Sequence, residues 1–448
     1  MKSLSICANR TCQAGLKEIS ARVMVTMLLA LSIILPATIQ PVKALILLLI
    51  IITVFIGMLT NCATLSWRLY SFSCLYAFIG LAWSLYGEMR GNPGAISVMT
   101  VMVFYPLLIP LCASLYRKED SDSLYRLIHI CAWIVLATDL VYVLAYSTYV
   151  GHLLQTVFDH LYSSSAAAAV NYDTYAKKFS LQNIVSIVFI LPFFISSLLF
   201  PKPGSGRIHI FLIVLLGIFV AVLTGRRAVL VSMIVGPAIA FILTITRSHN
   251  LVNAKQTSSW RWLLIVALTI SICIYLAFEW TGIEYSTNLI NSTFNFTDNE
   301  SNLERVYQYH SLMRGIYDAP MFGHGAGAVA DYIRTIETPW AYELSYVLII
   351  FQYGIIGFLL YALGIVFLCW HLISSIKEKG RSSFEFYFLS GFIAFMIANA
   401  TNPYLAKFDS MWIVFIPYAI VNRKFILSKN ANFVHSCPKQ RFLVNPQS

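Results

Sequence analysis

The sequence predicts an all-α polytopic membrane protein of about twelve transmembrane helices, with both termini cytoplasmic and one large, partly helical outer loop. Three observations predict it. First, only 11% of the 448 residues are charged and 58% are hydrophobic, with a mean hydropathy of +0.72. A soluble chain carries about 25% charged and roughly 45–50% apolar residues. Second, apolar stretches of bilayer-spanning length recur along the chain. Third, with the N-terminus inside, 21 of the 31 Lys and Arg fall on inner segments, against only six of the 20 acidic residues. Cytoplasmic loops show this asymmetry, and inverting the topology would reverse it. The net charge of +11 is thereby a topological signal. A nucleic-acid partner is not expected.

The elements follow in order. Lys2, Arg10, Lys17 and Arg22 precede the first apolar stretch, 23–40. Leu35–Gln40 offers no small-residue cleavage site, so this stretch is read as a retained span rather than a signal peptide. Further spans are placed at 44–64, 69–86, 96–116 and 127–150. An outer loop over about 151–182 contains the Ser/Ala run Ser163–Ala169. Spans at 183–200, 208–224 and 228–246 come next, the last two divided by Gly225-Arg226-Arg227. A ninth span is placed at 262–280, and the large outer loop at about 281–341. The last spans are 342–369, 386–403 and 410–422, with Asn402-Pro403 between the final two. Residues 1–422 thus form a single transmembrane bundle, followed by a basic cytoplasmic tail over 423–448. No repeat, P-loop or soluble domain is visible. The nine Cys lack disulfide or metal spacing and are read as free thiols.

Three features can carry chemistry. Arg226 and Arg227 stand on the outer side, where the positive-inside bias disfavours them. Guanidinium groups bind phosphate bidentately and stay charged at any working pH, so the pair suits a diphosphate at the outer surface. A snorkelling pair that anchors a hairpin is the bland alternative. In the large loop, Arg305 and Arg314 lie on a helix expected over Asn302–Tyr317, with Ser301 and Glu304 spaced as a capping box. Nine residues is two and a half turns, so the two arginines leave different sides. Pro320 through Gly327 then ends the helix in a tight turn. Glu343 sits where the loop re-enters the membrane. It is either a carboxylate favoured by a helix N-terminus or a general base near the arginines. His324 and Tyr342 are weaker candidates, as an acid/base group and a sugar contact.

The surrounding aromatics, among them Tyr307, Tyr332 and Trp340, could stack on sugar rings or form an interfacial belt. Asp120-Ser121-Asp122 resembles a metal-holding acidic pair but lies in a short charged loop, so neither metal nor cofactor is expected. Asn291-Ser292-Thr293 and Asn295-Phe296-Thr297 have the form of glycosylation acceptors, relevant only on a eukaryotic secretory route.

The arrangement resembles the O-antigen polymerase and ligase superfamily of bacterial inner membranes. The resemblance rests on Leu223-Thr224-Gly225-Arg226-Arg227-Ala228 opening a span, on Arg305 through Pro320 with Gly323-x-Gly325, and on Glu343 followed by Gly354-Ile355-Ile356-Gly357. It covers roughly residues 220–360. It implies a GT-C-like, metal-independent glycosyltransferase at the periplasmic face. The donor it implies is an oligosaccharide on undecaprenyl diphosphate, and a chain-length regulator is a possible protein partner. It also implies that Arg226, Arg227 and Arg305 hold the diphosphate, that Arg314 assists and that Glu343 deprotonates or orients the acceptor hydroxyl. Ligases of the superfamily typically carry His at the position of Glu343, so the polymerase branch is favoured. A ligase of the same architecture and a lipid-linked glycan flippase or other transporter are the alternatives.

Overall fold

The computed structural model describes residues 22–59, 66–114, 121–147, 168–173, 176–181, 183–202, 206–223, 227–245 and 300–436, with single positions at 156, 204, 272 and 275. Expectations for the N-terminal segment, the ninth span at 262–280, Arg226, the glycosylation-type sequences and the last twelve residues fall outside it. Eleven of the twelve expected spans overlap described helices.

Helices α1 (Arg22–Ile34), α2 (Gln40–Leu59) and α3 (Trp67–Met89) come first. The fourth span is α4 (Ala95–Met99) and α5 (Tyr105–Ser114), joined by a π-helical turn over Thr100–Phe104. Pro106 explains the wide turn, because a proline cannot bond the carbonyl four residues back, here that of Met102. Helix α6 (Ser121–Ser147) leads into the second outer loop. That loop departs from the all-α expectation, since Ala168–Asp173 and Ala176–Leu181 pair as an antiparallel hairpin with Ala168 opposite Leu181. Then come α7 (Ile184–Leu199), α8 (Arg207–Leu223), α9 (Arg227–Ile245), α10 (Glu300–Asp318), α11 (Ser345–Lys379), α12 (Phe384–Asn399) and α13 (Trp412–Ser436). Helix α13 continues well past residue 422, where hydropathy ended the last span.

Five of these segments are long and apolar enough to cross a bilayer: Gln40–Gly57, Trp67–Met89, Ala95–Ser114, Ser121–Val143 and Ser345–Lys379. Five shorter apolar helices accompany them. Helices α7 and α12 are buried on nearly every side. They pack on each other and on α9, as expected of helices that are apolar all round. Phe189, Phe193, Phe388 and Trp412 interlock at their centre. Peripheral helices instead turn apolar residues outward. Leu45, Leu48, Ile52 and Phe55 of α2 are all exposed, the surface that acyl chains cover.

One buried ion pair fastens two turns. Lys43 Nζ donates to Asp409 Oδ1 at 2.5 Å, with side-chain exposures of 1% and 5%. Asp409 Oδ2 also accepts from the Ala37 amide and from Gln40 Nε2, and Lys43 donates to the Leu35 carbonyl. The pair ties the α1–α2 turn to the α12–α13 turn, both assigned to the outer side. Asp122, half of the acidic pair, instead meets Lys202 at 2.5 Å on the exposed surface, joining two loops both assigned to the inner side. The described cysteines Cys74, Cys112, Cys131 and Cys369 are free.

Candidate functional site

Helix α10 begins at Glu300, two residues before the expected start, so Ser301 lies inside it and cannot cap it. Its inner face repeats every four residues through Gln308, Leu312 and Ile316, all buried. Leu312 and Ile316 pack with Ala328, Tyr342 and Phe351. The chain after the Pro/Gly turn crosses back over α10 in the opposite direction. Arg314 pairs with Asp331 at 3.7 Å, the Tyr332 amide donates to Ser311 Oγ, the Tyr307 and Tyr332 rings pack 5.9 Å apart, and Arg334 Nε reaches Glu304 Oε1 at 3.2 Å. Burial, and then the Glu304 carboxylate, push the Tyr332 phenol above its usual range.

This return path builds a charged cluster. Arg305 Nε donates to Glu343 Oε2 at 2.6 Å, while Arg334 Nη2 meets Glu343 Oε1 at 2.7 Å. Each oxygen of Glu343 therefore holds one guanidinium. The Glu343 side chain is only 15% exposed, against 31% for Arg305 and 34% for Arg334. The Glu343 amide donates to Gln308 Oε1, which fixes the carboxylate from behind. The arginines thus point outward on a pre-set carboxylate anchor, and charge-assisted bonds of this length are strong.

The Pro/Gly segment docks into a break in α11. Gly354 has φ +68° and ψ −178° inside that helix. The amides freed there bond to the loop: Ile355 donates to the Pro320 carbonyl and Ile356 to that of Met321. In return, His324 and Gly325 donate to the carbonyls of Phe351 and Gln352. Gly354 is required twice, for its positive φ and because a Cβ would lie 2.1 Å from the Met321 carbonyl oxygen. Such a break at membrane depth is tolerated only where protein fills it. The end of α3 clasps the same loop. Trp83 Nε1 donates to the Phe322 carbonyl, and the Asn92 amide donates to the carbonyls of His324 and Ala326.

An apolar cavity of ≈260 Å³ opens next to the cluster, bounded by α3, α5, α11, α12 and α13. Ser345, two residues after Glu343, lines it, as do Leu348, Tyr353 and Gly357. The hydroxyls of Ser345 and Tyr353 are buried without a hydrogen-bond partner among the described residues. An apolar pocket with a few convergent polar groups has the character of a ligand site.

The structure brings Arg305 and Glu343 into contact. Arg314 lies elsewhere, in a pair 72% and 77% exposed. His324 donates Nε2–H to the Gly315 carbonyl and stacks on Phe351, so it holds the turn. Tyr342 is 1% exposed, and its hydroxyl accepts from the Ala330 amide and donates to the Tyr332 carbonyl, which pins the crossing segment. Arg226 and the side chain of Arg227 are outside what is described; Arg227 opens α9. Sequence reasoning missed Arg334. It is the third arginine of the loop, but no spacing rule relates it to Glu304 or Glu343, because the pairing depends on the return path. Trp83 and Asn92 were missed for the same reason, more than 200 residues from their partners.

No curated protein matches the chain. Residues 212–362 match the family model described as O-antigen ligase, a region that includes Arg227, all of α10, the Pro/Gly turn, Glu343 and the break at Gly354. The match covers about a third of the chain, and over that segment the chain is similar to the O-antigen ligase family.

Proposed function

We propose that the chain is a polysaccharide polymerase of the bacterial inner membrane, transferring a growing glycan from undecaprenyl diphosphate to the next lipid-linked repeat unit at the periplasmic face. The observation that carries this is the Arg305–Glu343–Arg334 cluster beside an apolar cavity. A lipid-diphosphate donor needs cations for its headgroup and apolar walls for its chain, and the two lie two residues apart in sequence at Glu343 and Ser345.

The chemistry follows from the charges. The bond between the anomeric carbon and the diphosphate breaks, and its electron pair leaves on the diphosphate. The acceptor hydroxyl oxygen bonds to the anomeric carbon and gives up its proton. Preorganised arginines stabilise the developing charge on the leaving group without reorganisation at the moment of reaction. Arg305 and Arg334 take this role, joined by Arg226 or Arg227 where the sequence places them. As the diphosphate draws the guanidinium groups, an oxygen of Glu343 is freed to accept the acceptor's hydrogen. Glu343 thus holds the arginines before substrate binds and receives the proton afterwards. Arg314, with its exposed partner, takes no part.

A ligase that moves finished glycan to another acceptor is the second reading, favoured by the description of the matching family. Deleting the gene in its host and resolving the surface glycan on a gel separates them. Loss of polymerase leaves single repeats attached to their final acceptor, whereas loss of ligase strands polymer on the lipid carrier. Long-chain polymer that persists unchanged in a Glu343→Ala strain would refute the role given to Glu343.

A further inference from the structure

We infer that Tyr307 and Tyr332 form a sugar-binding platform for the incoming glycan beside the charged cluster. This rests on the glycan-transfer reading and names the subsite that orients one substrate of that reaction. Many aromatics crowd this loop, and the structure sorts them. Tyr342 is buried with its hydroxyl doubly bonded, and Tyr346 donates its hydroxyl to the Met396 carbonyl, so both are structural. Tyr309 leaves α10 about 200° around the helix from Tyr307, away from the crossing segment, by the 100° step of an α-helix.

Tyr307 and Tyr332 differ from these. Their rings pack 5.9 Å apart at 32°, Tyr307 remains 50% exposed, and Tyr332 is partly exposed. The Tyr332 backbone is pinned to Ser311, so its ring is held in place. Polar groups flank the pair. Glu304 lies one turn before Tyr307 on α10, Arg334 lies two residues after Tyr332, and the two are joined at 3.2 Å. An aromatic face carries partial negative charge and attracts the positive C–H edges of a ring laid against it. A pyranose offers such a C–H face together with hydroxyls around its rim. Glu304 accepts from those hydroxyls and Arg334 donates to them, while the tyrosine rings take the C–H face. Arg334 also touches Glu343, so a sugar seated here lies next to the reacting cluster.

The test measures binding, without turnover. The detergent-purified full chain is titrated with lipid-free oligosaccharide, released by mild acid from the producing bacterium's own surface glycan, and separately with undecaprenyl diphosphate. Saturation-transfer NMR follows the oligosaccharide. Tyr307→Ala and Tyr332→Ala each weaken oligosaccharide binding roughly tenfold, while undecaprenyl diphosphate binding stays within about twofold. Tyr307→Phe and Tyr332→Phe keep the ring and bind as wild type. Tyr307→Ala decides the matter if Tyr332→Ala fails to fold, because Tyr307 is half exposed. If the oligosaccharide binds but neither alanine variant weakens it, the platform is wrong and the transfer reading stands. If undecaprenyl diphosphate binds and the oligosaccharide does not, the platform again falls alone. If the oligosaccharide binds through the tyrosines but undecaprenyl diphosphate does not bind, the transfer reading falls and the platform stands. If neither ligand binds, both are overturned.

Discussion

Replacing Arg334 separates the catalytic reading of the cluster from a merely structural one. Arg334 meets Glu343 at 2.7 Å and Glu304 at 3.2 Å, with a third of its side chain exposed. Hydrogen bonds to charged groups contribute about 1.5–3 kcal/mol when buried. At this exposure solvent screening leaves about 1 kcal/mol. Arg334→Ala should therefore cost little stability, and the melting temperature should fall by only about 1 °C. Its effect on turnover should be larger. Removing one preorganised donor from a developing charge costs about a hundredfold in rate, or roughly 2.7 kcal/mol of activation energy. Arg334→Lys keeps the charge but cannot fork between two carboxylates, and should lose about tenfold. The assay is the initial rate of chain extension by purified protein in liposomes with a lipid-linked repeat unit, beside a thermal melt of the same samples. If Arg334→Ala loses stability yet extends chains within twofold of wild type, the guanidinium is structural and the proposed step is wrong.

Other substitutions probe the scaffold. Gly354→Ala forces a positive φ on alanine and drives a Cβ into the Met321 carbonyl; strained backbone of this kind costs about 1–3 kcal/mol before the overlap is counted. The protein should elute as aggregate or melt well below wild type on size-exclusion chromatography, and a wild-type melt would contradict the docking described. Asp409→Asn leaves Lys43 buried with its charge uncompensated and should destabilise by about 3–5 kcal/mol. The double variant Lys43→Met/Asp409→Leu should recover much of this in the same melt. Chain extension should continue in EDTA, because arginines supply the charge stabilisation; complete inhibition reversed by added divalent ion would contradict that.

What was legible in the sequence follows from the solvent. Lipid requires every span to be helical and apolar, so hydropathy alone found the cores of α1 to α9 and α11 to α13, though α11 and α13 run 10 and 14 residues past the expected ends at 369 and 422. The break at Gly354 was invisible to it, because Tyr353-Gly354-Ile355-Ile356-Gly357 is apolar whether or not the helix continues. The hairpin at Ala168–Leu181 was also missed, since no strand alternation stood out beside the Ser/Ala run. In the candidate site, Arg305 stood out on the helix expected in the large loop and Glu343 at the point where that loop re-enters the membrane, and the half-turn offset put Arg305 and Arg314 on different sides of the helix, with Glu343 and Asp331 as their separate partners. Arg334 was not readable. Its role arises only when the chain turns at Pro320–Gly327 and crosses α10, and the turn is set by contacts with Trp83, Asn92 and Gly354 that no local pattern encodes.

The most direct measurement is stoichiometric. Purified wild-type chain is reconstituted in liposomes with a single lipid-diphosphate-linked repeat unit, and both the glycan ladder and the freed undecaprenyl diphosphate are quantified. The account predicts one undecaprenyl diphosphate released per new glycosidic bond, with both products abolished by Glu343→Ala. A ladder that forms without release of undecaprenyl diphosphate, or no extension by a folded protein that binds the lipid, would contradict it.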